Sequence, residues 1–423
     1  MGVLREGRFV RLWLAQVVSQ FGDSITNLAV IVLVALVSKN GFMMGLVLFA
    51  QLLPSAVLGA FMGPFADRQS PQWLMVGADL YRMVIVLLMI PAQHHPLVLV
   101  TLVALLGVGT ALFTPARSSV IPQLVGEERI PDAIALSQGT WSAMLIAGPA
   151  VAGLLLAIHD VTAIFVIDAL TFVVSALLIS SLQSVRAMST EPKEVTYLQS
   201  LRSGVRKVMG MPALRFLLLI FIPVTLAAGM FSTDMNVVLL QVFKVSRLHF
   251  GMLESVSAVG TILGALSAPL FLRRLRPSVL LLSATGLIGI VMILVLGVNV
   301  WRLSFGLTPV YIWAIAGGYL NALLNVPLSS LFLGITPAEF RGRGGALLQA
   351  VVDFGVIVGV LLGGWLSAWN ALIATTLAGA TFLATAVASP WFQGYRALHA
   401  ITPRKNTNAT ALETGAEVDT SGT

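Results

Sequence analysis

The sequence predicts an all-α membrane protein: twelve transmembrane helices in two pseudo-symmetric six-helix bundles. Three observations carry that reading. Of the 423 residues, 57% are hydrophobic and only 10% charged, whereas soluble domains run near ~25% charged. The apolar residues come in blocks without the polar stripe of a soluble amphipathic helix. Residues 97–112, 279–298 and 371–388 carry no charge at all and approach the ~20 residues that cross a bilayer. Finally, Lys and Arg gather in alternate loops.

Apolar runs read against Pro, Gly and charge punctuation give spans at 12–37, 43–66, 73–92, 96–115, 133–158, 161–182, 214–241, 250–272, 278–298, 308–333, 345–368 and 370–391. The first run follows Arg5, Arg8 and Arg11, as a signal peptide would. Its length, its central Gly22-Asp23 and the lack of a small-residue cleavage site predict a retained helix. Positive residues favour the cytoplasmic side of a membrane. With the N-terminus inside, 20 of the 25 Lys and Arg fall in cytoplasmic segments and 4 outside, leaving Arg82 within a helix. Both termini are therefore expected in the cytoplasm, with the chain in a bacterial plasma (inner) membrane.

The longest loop, 183–213, lies at the midpoint. Leu198, Leu201, Val205 and Val208 share one helical face there, with Arg202, Arg206 and Lys207 around it. Either a helix on the lipid surface or a solvated linker fits this pattern. From about Pro403 the chain is poor in apolar residues, and disorder is expected. The expected units are an N-terminal bundle over 1–182, a cytoplasmic linker over 183–213, a C-terminal bundle over 214–392 and a tail over 393–423.

A central linker suggests duplicated halves, and the residues support it. At an offset of 205, Leu58, Gly59, Ala60, Pro64 and Arg68 match Leu263, Gly264, Ala265, Pro269 and Arg273. At an offset of 211, Ala135, Leu136, Gln138, Gly148, Gly153 and Ala157 match Ala346, Leu347, Gln349, Gly359, Gly364 and Ala368. The second span thus pairs with the eighth and the fifth with the eleventh. Repeats of this kind build transporters whose substrate binds between the halves near mid-membrane.

Other chemistries are disfavoured. There are no cysteines, which excludes disulfides and thiolate sites. No Gly-rich phosphate loop is present, so direct ATP use is not expected. The five His are scattered without metal-ligand spacing. The expectation is no enzyme, no cofactor, no metal and no nucleic acid. The net charge of +7 is explained by the cytoplasmic loops.

Several stretches carry a family resemblance. The loop Gly63-Pro-Phe-Ala-Asp67-Arg68-Gln-Ser-Pro-Gln72 is similar to the loop motif of the major facilitator superfamily. Ala147-Gly148-Pro149-Ala-Val-Ala-Gly153 is similar to the Gly-Pro motif of its drug exporters. Phe9 to Gln16, Ser19 to Asp23, Phe113-Thr-Pro115-Ala-Arg117 and Glu339-Phe-Arg341-Gly342-Arg343 resemble the branch holding macrolide and enterobactin exporters. The resemblance implies outward transport, with Gly63, Asp67, Arg68, Arg117, Gly148 and Pro149 as gating residues. By it, this loop locks the inner gate when the transporter faces outward; on physical grounds Asp67 could cap a neighbouring helix N-terminus or pair with Arg82 or Arg117. Two departures stand out. Ser70-Pro71-Gln72 replaces the motif's Gly and two basic residues, and Val103 stands where drug exporters carry a coupling Arg.

Ionisable groups inside a span cost ~2.5–3.5 kcal/mol each on insertion scales and so mark function. Here they are Asp23, Asp79, Arg82, Asp168, Asp234, Glu254 and Asp353. Asp79 and Arg82, three apart, can pair as a structural or gating element or contact substrate. Asp168, Asp234 and Glu254 read as satisfied polar groups near helix ends. Asp23, with no Lys or Arg within one turn, and Asp353 at similar depth are the proton-carrying candidates. Against this, Asp23 could simply be a polar contact to Gln16, Ser19, Gln20, Thr26 or Asn27. The expected function is export of an amphipathic or hydrophobic small molecule, driven by the proton gradient, by a monomer contacting membrane lipids. Uptake or lipid flipping is the alternative within transport; a receptor or scaffold is the alternative outside it.

Overall fold

Helix starts are written locally. Proline stands in the first turn of six of the long helices, where its missing N–H is not needed, among them Pro71, Pro96, Pro212 and Pro277. Asp160 caps another by accepting from the Val161 N–H at 2.8 Å. The computed structural model describes residues 2–38, 40–66, 70–182, 210–336 and 341–400. Asp67, Arg68, the 183–209 segment and residues beyond 400 lie outside the described residues.

The helices are α1 Gly7–Ser38, α2 Gly41–Ala66, α3 Pro71–Met89, α4 Pro96–Val125, α5 Ile130–Ile158 and α6 Val161–Ser180. There follow α7 Pro212–Val237, α8 Arg247–Arg274, α9 Pro277–Ile293, α10 Val295–Phe305, α11 Thr308–Ile335, α12 Arg341–Ala388 and α13 Gln393–Ala400. A π-helical turn, Val238–Val242, extends α7. No strand occurs among the described residues. Among the described residues ten helices are long and apolar enough to cross a membrane, and α9 with α10, bent by 50°, count as an eleventh if the pair is one span. The expected count of twelve is reached only when the 48-residue α12 is divided at Asn370, whose φ of −158° and ψ of 107° interrupt it. That break falls at the first residue of the last expected span, 370–391, next to the end of 345–368.

Packing follows two groups. α1 packs on α5 and α6, α2 on α4, and α3 on α4 and α6; later in the chain α7 packs on α12, α8 on α11, and α9 on α11 and α12. The groups meet chiefly through α5 against α8 and α2 against α12. Both meetings lie at one end and use small residues. Gly153 packs backbone to backbone on Gly251, and Gly45 on Gly364; small residues permit such close approach. Ser255 Oγ donates to the Ile146 carbonyl at 2.6 Å across the same contact. At this closed end a single core joins both groups, from Ile25, Val47 and Leu156 to Val237, Phe250 and Val310. At the other end the cores are separate. One holds Phe9, Phe113 and Ile179; the other holds Phe216, Leu328 and Leu398. Among the described residues the two groups are sealed together at one end and parted at the other.

Candidate functional site

Two sites emerge. The first is a buried ionic cluster inside the first group. Arg82 of α3 is 2% exposed and pairs with Asp79 one turn away, as the i, i+3 spacing predicts. Its other amine, Nη1, lies 3.3 Å from Asp23 Oδ2 of α1. Phe113 and Phe172 sandwich the guanidinium, their ring centroids 4.9 and 4.4 Å from its carbon, a favourable cation–π placement. Ser175 Oγ of α6 donates to Asp79 Oδ2 at 2.7 Å.

Asp168, fully buried, faces the same region. Gly22 backs onto it and Thr171, and a side chain at position 22 would collide with both. Thr171 Oγ1 donates to Asp168 Oδ1 at 3.2 Å, while Oδ2 is buried without a hydrogen-bond partner. The structure corrects two expectations here. Asp23 is not a lone carboxylate: its cation arrives from another helix. Asp168 is not a polar group near a helix end but sits mid-helix in α6.

The second site is a cavity of about 350 Å³ between the groups, within the usual range for small-molecule pockets. Each helix contributes one face. From the first group come Ser24, Asn27 and Ile31 of α1, with Leu48 of α2 and Pro149 of α5. Opposite them are Phe231 and Asn236 of α7, Asn321 of α11, and Phe250, Glu254, Ser257 and Thr261 of α8. The α8 residues recur at helical spacing along one stripe. Glu254 therefore faces a cavity rather than serving as the satisfied end group expected.

Asn27 links this cavity to a second one, of about 270 Å³, into which Asp23 opens. Asn27 Oδ1 accepts from Gln51 Nε2 at 2.5 Å between them. The side chain of Asp23 is 35% exposed, so it alone among the cluster carboxyls reaches open space.

The remaining expected site residues fall around these features. Gly148 packs against Ser24, and the carbonyl of Pro149 meets Gly251 of the other group. Arg117 is half-buried beside Gln16 and Gln20 in a cavity of about 500 Å³ toward the open end. Gly63 lies in α2; Asp67 and Arg68 are outside the described residues. Asp353 is brought to neither site and accepts from Gln349 on its own helix at 2.8 Å. Asp234, fully buried, accepts from Ser367 Oγ at 2.5 Å. Among the described residues no group of His, Cys, Asp and Glu could hold a metal ion.

A family model described as "Transmembrane secretion effector" matches residues 1–418. Macrolide efflux protein A of Streptococcus pyogenes is 25% identical over 375 residues, covering 84% of this chain and 88% of that protein. Two crystal structures share the fold. A mutant of the nucleoside transporter NupG has a TM-score of 0.71 at 15% identity, over 93% of this chain and 100% of that one. A bacterial homologue of the iron transporter ferroportin has a TM-score of 0.69 at 13% identity, over 90% and 98%.

Proposed function

Because the chain belongs to the transmembrane secretion effector family of major facilitator transporters, we propose that it exports an amphipathic small molecule from a bacterial cell across the plasma membrane. The observation that supports this most is the cavity lined from both helix groups, closed at one end and parted at the other. Its lining mixes amides, hydroxyls and apolar side chains, a fit for an amphipathic solute. In this reading the halves rock about the Gly153–Gly251 and Gly45–Gly364 contacts and expose the cavity to each side in turn. The macrolide efflux relative lends the outward direction.

Proton antiport supplies the drive in this reading. The buried cluster sets three carboxyls, Asp23, Asp79 and Asp168, against one guanidinium. With three carboxyls against one cation the cluster can hold or release a proton, and Asp23, the member that reaches open space, is its route. The test is flux in energised inverted vesicles carrying the protein, across a panel of macrolides, dyes, siderophores and lipids. Accumulation that stops when the proton gradient collapses is the expected result. No flux of any compound would refute export; flux that ignores the gradient would refute the coupling alone.

A further inference from the structure

The central cavity contains one unpartnered carboxyl group. Glu254 makes no ion pair and no hydrogen bond among the described residues, and no Lys, Arg or His lines the cavity around it. The other carboxyls within the spans are all engaged by their own helix group. Asp79 has Arg82 and Ser175, Asp23 has Arg82, Asp168 has Thr171, Asp234 has Ser367, and Asp353 has Gln349. Two basic groups close to it along the chain are also occupied. Arg247 donates to the Leu156 carbonyl at 3.3 Å, and His249 Nδ1 bonds the Tyr311 hydroxyl at 2.9 Å. Arg302 bonds Asn299 and lies over the Phe243 ring.

An ionised carboxylate away from bulk water is costly unless paired. Here no described residue supplies the partner, which leaves that part to a solute in the cavity. The lining around Glu254 suits the rest of such a solute. Phe231, Leu48 and Met235 offer apolar surface, while Asn27, Asn236 and Asn321 offer neutral donors and acceptors. One carboxylate without a second acid in the lining matches one positive charge, not two.

We propose that the cavity binds an amphipathic monocation, an ammonium or similar onium group on an apolar body, with Glu254 as its counter-ion. This rests on the cavity's being the transport site. It also gives the two acidic regions separate tasks, solute charge at Glu254 and proton exchange at the Asp23 cluster.

The test uses purified full-length protein and two probes of like shape: tetraphenylphosphonium, whose charge is fixed at every pH, and neutral triphenylphosphine oxide. Wild-type protein is expected to bind the cation. Glu254→Gln is expected to weaken that binding at least tenfold while leaving the neutral probe within twofold, and Glu254→Asp to retain most of the cation affinity. The neutral probe reports that the variant's cavity is intact. Equal losses for both probes, or cation affinity unchanged in Glu254→Gln, would overturn the proposal. So would wild-type protein that binds neither probe. Glu254→Gln that keeps cation affinity but loses pH-driven flux would make Glu254 a proton carrier and also overturn it. Failure here leaves export of neutral compounds intact, whereas failure of the transport reading removes flux of every compound.

Discussion

Asp23 and Asp234 stand 211 residues apart on the first helix of each group, the same offset that relates the fifth and eleventh spans. Their surroundings have diverged. Asp23 belongs to a three-carboxyl cluster held by Arg82 and reaches open space. Asp234 is sealed and held by a single hydroxyl, that of Ser367. The first group concentrates its charge and pairs it internally. The second disperses its acids, and the one that faces the cavity, Glu254, has no partner among the described residues. A duplicated scaffold can thus keep its packing while its halves take different electrostatic work.

The sharpest way to break this contrast is to remove Arg82. Arg82→Met leaves Asp79 and Asp23 without their cation, and breaking a buried pair one-sidedly costs about 3–5 kcal/mol. A fall of that order in stability is expected in detergent unfolding, with Ser367→Ala losing far less. Equal losses would mean that the two regions are not distinct. Next in size is the effect on coupling. Asp23→Asn is expected to cut pH-driven flux more than tenfold while leaving substrate binding measurable, and Asp23→Glu to keep part of the flux. Asp353→Asn should leave coupling intact, and a reversal of those two results would move the proton site to α12.

The smallest effect is expected at Asp168. It has no cation contact, and an amide of the same shape can still accept from Thr171, so Asp168→Asn should cost under about 1 kcal/mol. Asp79→Asn, which weakens the Arg82 pair, should cost more. A larger loss at Asp168 than at Asp79 in the same unfolding assay would place the guanidinium's main partner in α6.

Much of this fold was legible in the sequence because a bilayer tolerates few charges, so apolar runs and punctuating loops mark nearly every helix. Even the interruption at Asn370 falls at the first residue of the last expected span. Pairing within one helix was legible too: Asp79 and Arg82 meet as their spacing implies. What escaped was everything that depends on helix rotation. Arg82 reaches Asp23 from 59 positions away, where a search within one turn finds no cation. Glu254 sits in a helix apolar on most sides, so its burial could not be assigned to a cavity or to a neighbouring helix. Asp23 and Asp353 share a similar depth, but depth is one coordinate; the fold sends them to different surroundings.

The central claim is that two helix groups close at one end around a cavity that opens to the side bearing the chain termini. The absence of native cysteine makes a single introduced thiol a clean reporter. Asn321→Cys places it in the cavity, Gln138→Cys on the exposed first turns of α5, and Asn40→Cys at the closed end between α1 and α2. A membrane-impermeant maleimide applied to inverted vesicles is predicted to label the first two and not the third, and in right-side-out vesicles to label only the third. Labelling of Asn321→Cys from the right-side-out face alone, without added substrate, would contradict the account.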